Sequence, residues 1–137
     1  MVDTVRKVDY FAMDVANKPG EAARLLDALG KAGISLLAFT GFPSGRRSQV
    51  DFIPEDTAAF RAAAKGAKFK LKPKKTVFLI QGDDRRGALA DMLSRLADAR
   101  VNVVAVDAVC AGAGRYGAIL WVGPRGVNKA AKALGAS

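Results

Sequence analysis

The same local pattern occurs twice in this chain, and nothing else in the sequence limits its fold as strongly. Asn17–Ser35, NKPGEAARLLDALGKAGIS, and Asp84–Asn102, DRRGALADMLSRLADARVN, align without a gap at a spacing of 67 residues. Ala22, Leu25, Leu26 and Leu29 in the first copy, and Leu89, Met92, Leu93 and Leu96 in the second, fall at i, i+3, i+4 and i+7. That spacing marks one apolar helical face. Arg24, Asp27 and Lys31, or Asp91, Arg95 and Asp98, take the other faces, so each helix is expected to cover a sheet with its back to water. The repeat divides 137 residues into two small units that must share burial to be stable.

The flanks repeat as well. Tyr10–Met13 and Val77–Ile80, again 67 apart, are short apolar runs of the kind that form buried strands. After each helix, SLLAFT (Ser35–Thr40) and NVVAVDAV (Asn102–Val109) read as strands. A glycine-containing connection, GFPSGRRS or AGAGRYG, leads to a third strand, Gln49–Ile53 or Ala118–Val122. At Pro54 and Pro124 the spacing has grown to 70, and the extra three residues are expected in the hairpin connection, where insertion costs least. EDTAAFRAAAKG and RGVNKAAKALG follow as alanine-rich helices, with Ala59, Phe60 and Ala63, or Val127, Ala130, Ala131 and Leu134, on one side. Each copy reads β-α-β-β-α, one strand short of a split β-α-β, ferredoxin-like unit. AKFKLK, Ala67–Lys72, offers that strand to the first copy, and the second copy has no counterpart. The expected fold is α+β: two tandem ferredoxin-like (βαββαβ) units, residues 1–72 and 73–137, the second lacking its last strand.

Charge narrows the partners. Twenty-two Lys and Arg against 13 Asp and Glu leave +9, which favours anions without choosing among carboxylates, phosphates and nucleic acid. The chain has no histidine and one cysteine, so the commonest general base is absent and neither a disulfide nor a thiolate metal site is expected. Cys110, inside a strand, reads as a small buried apolar residue. Asp83 and Asp84 form a tight acidic pair, but carboxylates ahead of a helix more often prepare the helix than act as acid and base. No enzymatic activity, cofactor or metal is expected.

AGAGRYG contains G-x-G without a third glycine and lies between two strands, so it reads as a hairpin loop rather than a nucleotide cradle. SGRRS reads as a solvated loop tip, and Trp121 as core or interface. The six lysines of KGAKFKLKPKK read as protection of an exposed strand edge. No apolar run approaches the ~18 residues that span a bilayer. The N-terminal MVDTVRKVDYFAMDV lacks the uninterrupted apolar core of a secretory signal. A cytoplasmic chain without a membrane partner is expected.

N-K-P-G-E-x3-L-L-x2-L-x3-G-I-S and D-R-R-G-A-x3-M-L-x2-L-x3-R-V-N resemble the strand-loop-helix-strand core of ACT domains, small ferredoxin-like regulatory modules that bind amino acids in the control regions of metabolic enzymes. Two such modules in tandem cover the chain, with no catalytic domain attached. The resemblance implies a ligand site between two modules. The loop and helix start of one (Asn17, Gly20 and Glu21, or Asp84, Gly87 and Ala88) would meet the start of the neighbour's second strand, at Ser35 or Asn102. The physics of the loop points the same way. A helix's first turn has unpaired N–H groups at its positive end, and glycine lets a carboxylate approach the backbone. Asn17 can donate and accept hydrogen bonds, whereas Asp84 only accepts and would suit an ammonium group.

Pairing of the modules through their second strands would join Asn17 with Asn102 in one pocket and Asp84 with Ser35 in the other, and the pocket of Asn17, Gly20 and Asn102 is favoured for its two amides. Two arrangements of the linker stay open. Lys65–Lys75 crosses between modules paired in that way, with AKFKLK giving up a regular place in its sheet; or KPKK is a hairpin that lays AKFKLK beside Thr76–Gln81. On this reading the chain is an amino-acid-binding regulatory protein that acts as a homo-oligomer or through a partner metabolic enzyme. The alternative is a basic nucleic-acid-binding ferredoxin-like protein, against which QVDFI and AILWV lack the glycine-aromatic strand motif of RNA-reading sheets.

Overall fold

The computed structural model describes residues 3–137. Two compact units form: an inner one, Asp9–Lys75, and an outer one that joins the N-terminal segment through Val8 to Thr76–Ser137. In chain order the elements are β1 (Thr4–Ala16), α1 (Glu21–Lys31), β2 (Leu36–Ser44), β3 (Arg47–Pro54), α2 (Thr57–Gly66), β4 (Lys75–Asp83), α3 (Ala88–Asp98), β5 (Val103–Gly112), β6 (Arg115–Val122), a 3₁₀ turn (Pro124–Gly126) and α4 (Val127–Leu134). The fold is α+β, with the β-α-β-β-α order written twice and both copies ferredoxin-like.

In the inner unit β3 lies between β1 and β2, antiparallel to both, and Phe11, Phe52 and Phe39 are neighbours across the three strands. Phe52 and Phe60 are 0% exposed, with ring centroids 5.3 Å apart, and Phe11 stacks on Phe60 at 5.2 Å. α1 adds Leu25 and Leu29 to this core. Leu26, expected on the same face, is exposed, so the buried stripe is narrower than the heptad-like pattern implied. Asp56 caps α2 by accepting the Ala59 N–H at 3.0 Å.

AKFKLK does not form a strand. Lys68 adopts a left-handed conformation (φ 61°) and Pro73 has no N–H, which together interrupt any ladder. The segment still closes one side of β1: the Lys72 N–H donates to the Ala12 carbonyl at 2.8 Å, and Phe69 stacks on Phe52 at 5.8 Å. Lys72 meets Asp14 at 3.4 Å and Lys74 meets Asp9 at 3.8 Å. KPKK makes no hairpin, and its lysines staple a strap to β1.

Asp51 is a buried charged residue, registered between Ala12 and Thr40 on its two neighbour strands. Burial pushes its carboxyl pKa up, opposed by the Gln49 amide, which donates at 3.0 Å, and by Lys72 and Lys75. An acid with a raised folded-state pKa binds its proton more tightly in the folded than in the unfolded chain. Stability should therefore fall as pH rises from the unfolded value of 3.8 through the folded pKa. Asp51→Asn is expected to flatten that fall and to raise the urea midpoint at neutral pH; a midpoint lowered at every pH would contradict this account.

In the outer unit β6 lies between β4 and β5, with Phe78, Leu120 and Val106 in register. α3 places Ala88, Met92 and Leu96 in the core, and α4 adds Ala130 and Leu134. The strand that the second repeat lacks is supplied by the beginning of β1, which lies next to β4 in strand order. Val5 packs among Phe78, Ile80 and Leu120. The Ser137 N–H donates to the Val5 carbonyl and the Lys7 N–H to the Ser137 carbonyl, both at 3.1 Å.

Both hairpins are longer than the sequence implied. β2 and β3 are joined only by Gly45 and Arg46, and β5 and β6 by Ala113 and Gly114, whose φ values of 57° and 69° suit a tight two-residue turn. Gly41 and Pro43 of the first expected loop lie in β2 and Gly112 of the second in β5, strands at the two ends of the sheet order, where such residues are tolerated. Of the three extra residues, the hairpin takes one, at the bulge between Cys110 and Gly112. The other two fall after β6, where Pro124 opens the 3₁₀ turn while Pro54 still belongs to β3. No helix among the described residues is long and apolar enough to cross a membrane.

Candidate functional site

Each unit opens a cleft between the start of its first helix and its hairpin. The chain leaves the first strand, turns, and enters the helix through a left-handed glycine, Gly20 at φ 86° or Gly87 at φ 78°. The N-cap of each helix is this glycine, which has no side chain to cap with, and the first helical N–H, of Glu21 or Ala88, donates to the Lys18 or Arg85 carbonyl at 3.4 or 3.3 Å. A Cβ at either glycine would touch nothing within 4 Å. Glycine is required there for its backbone conformation, not for space.

The inner cleft, about 300 Å³, is lined by Asn17, Lys18 and Glu21 from the turn and by Phe39, Phe42 and Ser48 from the hairpin. The outer cleft, about 340 Å³, is lined by Asp84, Arg85, Gly87, Ala88, Cys110 and Tyr116. Of the residues expected at a site, Asn17 and Glu21 meet in one cleft, and Asp84, Gly87 and Ala88 in the other. Gly20 shapes the inner turn. Ser35 and Asn102 are exposed, each just before its strand, and line neither cleft. The helix carries the chain to the far end of the sheet before the second strand begins, so neither serves the helix start of its own unit; the expected pairing is with the helix start of the other module.

The clefts differ in charge. In the inner one Glu21 opens α1, and the Arg24 guanidinium beside it, helped by Lys18 at 4.0 Å, holds its carboxyl below the usual range. The outer unit has buried Ala88 at that position and Asp91 where Arg24 would be. Arg85, the counterpart of Lys18, points its two terminal nitrogens at Asp3, each at 3.1 Å, and reaches Asp91 at 3.4 Å.

Cys110 is exposed, contrary to its reading as a buried apolar residue. Its strand is paired on one side only, so much of its length stays open, with Val104 and Val109 more than 60% exposed. The hydrogen bond with Asp84 raises the thiol pKa and keeps it from becoming a thiolate. No cluster of metal-ligating side chains occurs among the described residues. Arg85 was not among the expected site residues, although the basic residue at that place in both copies, Lys18 and Arg85, was a readable signal.

Two ferredoxin-like units, each with a cleft at a glycine-turned helix start, define an ACT-like fold. Solved structures similar to the whole chain carry it too. Protein BT0572 from Bacteroides thetaiotaomicron is 18% identical over 96% of this chain and 88% of its own, with a TM-score of 0.81. The ligand-free regulatory subunit of aspartate kinase from Thermus thermophilus is 17% identical over 97% and 94%, with a TM-score of 0.63. The regulatory subunit of aspartate kinase from Thermus flavus is 16% identical over 98% and 94%, with a TM-score of 0.61. At these identities the likeness is one of fold. No family model and no curated protein matches the chain.

Proposed function

We propose that this chain is a regulatory protein that binds a small molecule, an amino acid, at the glycine-turned helix starts, and acts by binding rather than by catalysis. The observation that carries the reading is the recurrence of the same cleft in both units, at a helix start entered through a left-handed glycine. The fold likeness to regulatory subunits of aspartate kinase supports it, and suggests a metabolic enzyme as the partner that receives the signal.

The edges of β2 and β5 support assembly into a homo-oligomer. Among the described residues β2 pairs only with β3 and β5 only with β6. β2 contains no charged residue and β5 only Asp107, so neither carries the lysines that usually blunt an exposed edge. Pairing these edges with those of a second copy would bring Ser35 and Asn102 towards a neighbouring helix start, completing the set Asn17, Gly20, Glu21, Asp84, Gly87 and Ala88.

A thermal-shift panel of the twenty amino acids tests the reading. One or a few should raise the melting temperature by mass action. Gly20→Val or Gly87→Val, first shown to be folded, should lose that response at the altered cleft. A panel that leaves the wild-type transition unmoved counts against the proposal.

A further inference from the structure

Arg85 ties the outer cleft to Asp3, the residue just before β1. Arg85 is one of the residues lining the cleft, and its guanidinium forms a two-pronged pair with Asp3, both contacts at 3.1 Å. The Asp3 side chain is only 4% exposed. It sits over Gly82, where a Cβ would overlap the carboxylate and crowd the Tyr116 ring at 3.0 Å. Gly82 is thus a seat for the carboxylate, cleared of its own side chain. The inner unit is built differently, since Lys18 turns to Glu21 within its own helix start.

We propose that Arg85 is the carboxylate-recognising residue of the outer cleft and that Asp3 is its internal counter-ion, displaced when a ligand carboxylate arrives. This rests on the small-molecule reading above and adds the chemical group recognised and the segment that responds. The end-on fork of Nη1 and Nη2 that holds Asp3 can hold only one carboxylate bidentately, so a ligand that takes this fork displaces Asp3. Once Arg85 turns to the ligand, Asp3 is a nearly buried charge without its cation, a state proteins avoid. Asp3 then leaves its seat and the first residues of β1 loosen. The next backbone bonds along that strand, from Lys7 to Ser137 and from Ser137 to Val5, report the loosening.

The test uses the full chain as wild type, Asp3→Asn and Arg85→Gln, titrated by amide NMR with sodium acetate, with sodium chloride as the ionic-strength control, and with each of the twenty amino acids. Asp3→Asn is expected to bind the responding probe about tenfold more tightly than wild type, with shifts centred on Gly87 and Ala88, and Arg85→Gln about tenfold more weakly. Saturating probe should also speed hydrogen exchange at Lys7 and Ser137 in the wild type. If a probe binds and both variants match the wild type, the exchange of counter-ions is overturned while the regulatory reading stands. If no probe shifts any of the three proteins, both fall together. Should Arg85→Gln fail to fold, Arg85→Lys keeps the charge and loses the fork, and binding as tight as wild type would overturn the proposal.

Discussion

A chain shortened to begin at Asp9 is expected to lose a large part of the stability of its outer unit, although every element of the second repeat remains. The deleted segment carries Val5, 4% exposed among Phe78, Ile80 and Leu120, together with the backbone bonds to Ser137. Burial of one valine contributes about 1.5–3 kcal/mol. Each intramolecular hydrogen bond adds about 1 kcal/mol. The sum, roughly 3.5–5 kcal/mol, is a large part of the 5–15 kcal/mol that holds a typical domain together. Hydrogen exchange should show lost protection in β4 and α3 with less change in β2 and β3. Val5→Ala should reproduce a fraction of the effect. Unchanged protection of β4 would mean that the first strand is ornamental to the outer unit.

Phe52→Ala is expected to be the most damaging single substitution in the inner unit. Phe52 is fully buried and its ring contacts three others, Phe39, Phe60 and Phe69, at 5.3–5.8 Å. Truncating a buried phenylalanine costs about 3–5 kcal/mol, because the cavity cannot collapse when its walls are rigid rings anchored on separate elements. Phe42→Ala, at a ring that is 39% exposed in the edge strand, provides the contrast and should shift the urea midpoint far less. Equal midpoints for the two variants would place the inner core elsewhere.

The helices and inner strands were legible because their apolar spacing repeats at a fixed offset: Leu25 with Met92 and Phe11 with Phe78 lie in equivalent places. The turn glycines were legible for the same reason. The outer unit's last strand was not, since Thr4–Val8 carries Arg6 and Lys7, has no repeated counterpart, and is recognisable only through the neighbours it meets far along the chain. Hairpin lengths were misread at Gly41, Pro43 and Gly112, residues that usually end strands but are harmless in β2 and β5, the two ends of the strand order among the described residues. Within the clefts, Asn17 and Asp84 could be read from the loop pattern. The ion pair of Arg85 with Asp3 could not, because 82 residues separate its members.

The nesting of the inner unit inside the outer one sets an order of events at the ribosome. Thr4–Val8 leaves the exit tunnel before the inner unit, yet β4 and the rest of its sheet are synthesised only after the whole of Asp9–Lys75. The inner unit is contiguous and can fold while translation continues, as nascent domains generally do. The leading segment meanwhile waits as an unmatched strand. Its charged residues, Arg6 and Lys7, are suited to that interval, because they keep it in water and discourage pairing with a passing neighbour until β4 emerges.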